Sequence, residues 1–117
     1  MEFRRVEVKE PVSSAARTAD GASGYFDVHE YKEMLILTDV TAVSGGDTPT
    51  LKIIPETSPD QSRAFPLLGV GDIVAITATG RYTIKLDGNL GKYVRLSWTI
   101  SGVTPSFTFR VTCVLKT

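Results

Sequence analysis

The chain has 117 residues, 42% of them hydrophobic, and 13 Lys and Arg balance 13 Asp and Glu. That size fits one domain with a core large enough to need no covalent staples, and the hydrophobic content excludes general disorder. Zero net charge speaks against an electrostatic binder of nucleic acid or membrane, which needs a basic surplus. A single cysteine, Cys113, excludes an internal disulfide. The N-terminus is charged rather than apolar, unlike a secretory signal. No run approaches the roughly 20 apolar residues of a membrane span. Synthesis in a cytoplasm is therefore expected.

Taken in order, Glu2 to Lys9 reads as a first strand, ended by Pro11. Val12 to Gly24 is small, polar and without period, and reads as an extended arm or long loop. Residues 1–24 are thus expected as strand and arm, and 25–117 as the body. Tyr25 to Val28 is a short strand and His29 to Lys32 a turn. Glu33 to Val43 is a long strand whose first half is apolar on both parities, since Leu35 and Leu37 interleave with Met34 and Ile36. Such a pattern suits a strand covered on both faces. Ser44 to Pro49 reads as a loop, Leu51 to Ile54 as a strand stopped by Pro55, and Thr57 to Ser62 as a turn. Ala64 to Leu68 and Ile73 to Thr79 are strands on either side of a Gly69 to Asp72 turn. Tyr82 to Leu86 alternates cleanly and closes at Asp87-Gly88-Asn89.

Val94, Leu96, Trp98 and Ile100 share one parity, and Phe107, Phe109, Val111, Cys113 and Leu115 another. With Ser101 to Ser106 rich in turn residues, Leu90 to Lys116 reads as a β-hairpin with one face on a core. About eight strands with turn signals every 8 to 12 residues predict an all-β fold, an antiparallel β-sandwich of jelly-roll type with an N-terminal arm. One internal echo stands out. Ser44-Gly45, a short gap, Thr48-Pro49-Thr50 resembles Ser101-Gly102, Val103, Thr104-Pro105-Ser106. Two turns of like geometry could form one contact surface, or could be convergent turn chemistry.

Chemistry is sparse. The one histidine, His29, reads as a surface turn residue, and no His, Cys or Asp cluster has metal-ligand spacing. Gly69-Val70-Gly71 is too short for a phosphate loop. Cys113 on an apolar parity reads as a buried thiol. Asp39, inside an apolar strand, needs a partner such as Arg95 or Arg110 if buried, and none if it faces outward. Trp98 falls on the core parity. Tyr93, beside Arg95 on the other parity, has the character of an interface anchor. No catalytic residue, cofactor or metal is expected.

Three stretches resemble a known group: Ser13 to Gly24, Thr38 to Gly45, and above all Leu90 to Val111, with its Leu-Gly-x-Tyr-Val-Arg and Thr-Pro-Ser-Phe-Thr-Phe signatures. They are similar to small β-sandwich virion proteins of tailed bacteriophages and prophages. The chain departs from that pattern over Ile54 to Val70. The resemblance implies a non-enzymatic virion component of capsid decoration, head fibre or tail accessory type. It implies location on the capsid surface or tail, self-association as a homotrimer, and contact with the major capsid protein or other virion subunits, not with nucleic acid or membrane. The expected interface falls on Arg17 and Thr18 of the arm, on Tyr93 and Arg95, and on Thr48, Pro49, Thr104 and Pro105 of the echoed turns. The competing expectation is a glycan-binding module of a tail or fibre, using Tyr25, Tyr31, Tyr82 and Tyr93.

Overall fold

The computed structural model describes residues 5–67 and 75–117. Strands Glu2–Arg4, Leu68 and Ile73–Val74 in part, and the Gly69–Asp72 turn with its phosphate-loop reading, fall outside those residues. The described chain is all-β, a single antiparallel sheet with no helix. Its strands are β1 (Val6–Arg17), β2 (Gly21–Ala22), β3 (Phe26–Asp27), β4 (Glu33–Ser58), β5 (Phe65–Pro66), β6 (Gly80–Asp87) and β7 (Tyr93–Lys116).

The frame is a two-stranded ribbon. β4 and β7 pair antiparallel along almost their whole length, from Glu33↔Lys116 to Ser58↔Tyr93. Short strands line both edges of it. β1, β2 and β3 follow one another along β7, while β6 and β5 lie along β4, with Ile76 bridging Leu51 between them. A straight strand of 24 residues would measure about 80 Å, and the molecule is only 53 Å long. The ribbon therefore folds back. Trp98 and Phe109 show it directly: eleven residues apart on one strand, their rings meet edge to face at 5.6 Å.

Folding brings one face of both ribbon halves together over a common core. Met34, Ile36 and Val40 come from the first half of β4, Leu51 and Ile53 from the second. Leu96 and Trp98 meet Phe107, Phe109, Val111, Cys113 and Leu115 from the two halves of β7. The inward parities are those the alternation predicts, because side chains leave a strand on alternate faces. Tyr82, Ile84 and Leu86 of β6 pack against the margin.

Several expectations need correction. Ser101–Ser106 bends the chain but does not pair its two sides with each other, so Leu90–Lys116 is not a hairpin. β7 runs on through that segment and finds its partner in β4. Ser44–Pro49 is likewise inside a strand, and Pro55 does not stop β4, which continues to Ser58 with Pro55 opposite Leu96. Val12–Gly24 is not a free arm. Val12 to Arg17 completes β1 after register shifts on either side of Val12, and Gly21–Ala22 is β2. Those shifts, one of them at Pro11, move successive residues between faces and erase the period a strand would show. Of Ile73–Thr79, the described part contributes a single bridge at Ile76.

The N-terminal strand is also tied by side chains. Tyr31, buried beneath it, donates to Glu7, and Lys9 lies 3.3 Å from the same carboxylate. Both interactions hold the Glu7 carboxyl below its usual range, and the Tyr31 phenol is raised in turn.

Cys113 is fully buried between β1 and β4, and burial pushes its thiol up to about 12. An inert thiol follows, because the thiolate is the reactive form. At pH 8 the native protein is expected to leave an aromatic disulfide reagent unreacted, with release of colour only on adding denaturant. The sign of the linkage is fixed by the raised value. The contribution of the neutral thiol to stability is complete below the unfolded value near 9 and is lost as pH rises toward about 12. Fast native labelling would show the strand to be open.

Candidate functional site

The two echoed segments cross each other where the ribbon bends. Ser44 pairs with Ser106, Gly46 with Val103, and Thr50 with Ser101, with register shifts between these pairs. The contact is reciprocal. A Cβ on Gly45 would lie 2.9 Å from Pro105 Cα, and a Cβ on Gly102 would lie 3.0 Å from Pro49 Cα. Each Ser-Gly thus supplies the empty space that the other copy's Thr-Pro fills. Both glycines have φ near +130°, a region closed to side chains by sterics.

Strain marks the neighbours as well. Asp47, Thr48 and Thr104 have φ of 57°, 48° and 43°. A left-handed backbone at a β-branched threonine is an outlier that costs about 1–2 kcal/mol. Ser44 to Thr48 and Ser101 to Thr104 are exposed, and Thr50 Oγ1 donates to the Thr48 carbonyl at 3.2 Å. Val103 stands out at 52% exposure as a large apolar side chain at this end. Asp47 is the one charge in the two segments. The bend therefore presents hydroxyls and one apolar side chain on a backbone held fixed by glycine–proline contacts.

Of the residues expected at an interface, Thr48, Pro49, Thr104 and Pro105 come together here. The others do not. The Arg17 guanidinium lies 5.0 Å from the ring centres of both Trp98 and Phe109 and donates to the Ala15 and Phe109 carbonyls. It closes the joint between the ribbon halves of its own chain. Thr18 is exposed on the crossover from β1 to β2. That crossover is stitched down: Trp98 Nε1 donates to the Ala19 carbonyl at 3.1 Å, and the Ile100 amide donates to Asp20 at 2.8 Å. Tyr93 sits at the far end of the ribbon opposite Ser58, with Lys92 5.3 Å from its ring. Arg95 pairs with Glu56 at 2.9 Å and covers the Tyr25 ring at 5.1 Å.

Asp39 faces outward, and its partners are Arg110 at 3.7 Å and Arg81 at 4.0 Å. Arg95 is not among them. Tyr31 is buried, while Tyr25, Tyr82 and Tyr93 are half-buried. Among the described residues no group of three His, Cys, Asp or Glu is placed to hold a metal. Sequence reasoning missed Arg17 as a stacking group and Glu56 as the Arg95 partner. Both depend on contacts between residues far apart in the chain, and Glu56 lay beyond the strand expected to stop at Pro55, so no sheet position linked it to Arg95.

No protein-family model matches the chain, and no curated protein matches it. Solved structures do. The SPBc2 prophage-derived protein YomS is 13% identical with a TM-score of 0.51, over 100% of this chain and 97% of that one. A chain in the structure of infectious bursal disease virus Gx strain is 9% identical with a TM-score of 0.58, over 98% of this chain and 32% of that one. The present chain therefore spans about a third of the viral one. At such identities the likeness is one of fold.

Proposed function

We propose that the chain is a non-enzymatic structural protein of a virus particle, and specifically a capsid decoration protein that stabilises a phage head through inter-subunit contacts. The observation that carries a contact role is the bend, where two threonines hold a left-handed backbone on an exposed surface locked by reciprocal glycine–proline packing. Strain of that kind persists where the surroundings over-determine it, and it clusters at sites of function. The fold's likeness to a prophage-derived protein along its whole length, and to part of a viral chain, supports the virion setting. A homotrimer at the local three-fold points of a capsid lattice is the assembly this reading expects, with the major capsid protein as partner.

The test adds purified protein to particles that lack it. Wild type is expected to bind saturably, and the exposed double variant Thr48→Lys/Thr104→Lys to lose at least about tenfold in affinity while keeping its fold. Failure of wild type to bind, or equal binding by the variant, would overturn the reading.

A second reading is a glycan-recognising module of a tail or fibre. Tyr25 and Tyr93 lie near Arg95 at one end of the ribbon, a combination that can stack on a sugar ring. Binding of an oligosaccharide that Tyr93→Ala abolishes would favour it over decoration.

A further inference from the structure

The ribbon half that carries β1 and β6 has an outer face of unusual composition. Across it lie β1, β7, β4 and β6, in that order. Val8, Val114 and Leu35 form one row, because Val8 pairs with Val114 and Val114 with Leu35. Leu37 lies in the next row, opposite Thr112. Val6 and Val8 are 59% and 62% exposed, and Leu35, Leu37 and Val114 are half-buried and, among the described residues, are not packed against the core cluster. Shallow depressions flank the leucines, one beside Leu35, Lys85 and Val114, the other beside Leu37, Arg81 and Arg110. An apolar centre in a charged rim is the anatomy of a protein interface.

The rim identifies the occupant. Beyond the apolar rows, Lys116 pairs with Glu33 at one end and Arg110 with Asp39 at the other. Lys85, Arg81, Asp87 and Glu10 complete the margin, so the face carries four charges of each sign. A nucleic acid or an acidic membrane would want one sign. A second copy of the same face would not. Turned over about an axis parallel to the strands, a second copy lays its β4 over β7. Lys116 then meets the partner's Glu33, Arg110 the partner's Asp39, and Val114 the partner's Leu35.

We infer that this face docks a second copy of the chain, sheet on sheet, about a two-fold axis running along the β4/β7 ribbon. The contact is isologous, so each favourable pair occurs twice. Strands about 4.8 Å apart and same-face residues about 6.8 Å apart give a grid of roughly 500 Å² per copy, or about 1,000 Å² in all, the lower bound for a specific interface. Association is therefore weak in free solution and gains where copies are held at high local concentration. This inference does not rest on the virion reading. A two-fold contact here leaves the bend free.

Light scattering on the full chain from about 5 to about 500 µM reads it. Wild type is expected to double in mass over that range. Leu35→Asp should weaken association at least tenfold, as should Val8→Lys, which sets a second cation against the partner's Lys85 at an exposed site that tolerates the change without loss of fold. Asp39→Arg alone should weaken it too, and the swap Asp39→Arg/Arg110→Asp should restore it. Constant wild-type mass throughout, or doubling that Leu35→Asp and Val8→Lys both leave intact, would overturn the proposal. Loss of particle binding by the bend variant, with doubling retained, would keep the two readings separate.

Discussion

Phe109→Ala is expected to destabilise the protein by about 3–5 kcal/mol, the range for removing a fully buried phenylalanine. Three effects add at this position. The ring is completely buried. It meets Trp98 edge to face across the fold, a geometry worth about 0.5–1.5 kcal/mol beyond area. It also supports the Arg17 guanidinium, which bridges both rings. Truncation leaves a cavity where the two halves of β7 face each other, so neither half can close it without moving the other. Urea unfolding followed by Trp98 fluorescence measures the loss as a lower midpoint. Val6→Ala, on the outer surface of the edge strand, is the control and should fall within about 0.5 kcal/mol of wild type. Equal midpoints for Phe109→Ala and wild type would mean that the halves do not meet at this joint.

Gly102→Ala should cost about 2–4 kcal/mol, combining backbone strain with overpacking against a neighbour that cannot yield. At φ of 129° an L side chain is strained whatever the space, and the space is also taken. The atom met is Pro49 Cα at 3.0 Å, which is backbone, not the tip of a mobile side chain. Gly45→Ala should behave alike, against Pro105 Cα. Gly46 lies between them in sequence and space, yet its added Cβ would meet Val103 Cβ at an ordinary 3.7 Å. Gly46→Ala is therefore expected within about 0.5 kcal/mol of wild type. Thermal unfolding of the three variants separates them. A flexible loop at the bend would tolerate all three equally, which is the outcome that contradicts a locked crossing.

The alternating stretches were legible because a strand with one buried face must alternate, and the inward residues of β4, β6 and β7 follow that parity. Trp98 in the core was legible for the same reason, and so was the outward reading of Asp39. Its Arg110 partner was tied in sequence only to a buried carboxylate, and both Arg110 and Arg81 emerged from the sheet pairing. Topology was not. Ser-Gly, Pro and Thr give the same local signal in a turn that reverses the chain and in a crossing where two strands kink past each other. Only the partner strand, here more than 50 residues away, distinguishes them. The echo between the two segments was visible as composition, and its meaning, that each copy packs on the other, depended on the fold.

The arm was misread for a different reason. Ser13, Ser14, Ala15 and Ala16 carry no hydrophobic period, and the shifts about Val12 interrupt what alternation β1 has. Edge strands often show such features, since irregularity discourages further pairing. The outer face was half legible. Leu35 and Leu37 announced a strand apolar on both sides, but Val8 and Val114 join them only through sheet pairing. Arg17 could not be assigned from sequence, because its two rings come from opposite halves of a folded strand.

The central claim, that this chain is a structural component of a virus particle, is tested most directly on particles from cells that carry its gene. They would be purified on a density gradient, and this chain quantified in the particle band against the major capsid protein. The account predicts that it co-bands in fixed stoichiometry, survives repeated washing, and is lost when the Thr48→Lys/Thr104→Lys variant replaces it. Its absence from the band, with the protein recovered only in the soluble fraction, would contradict the account.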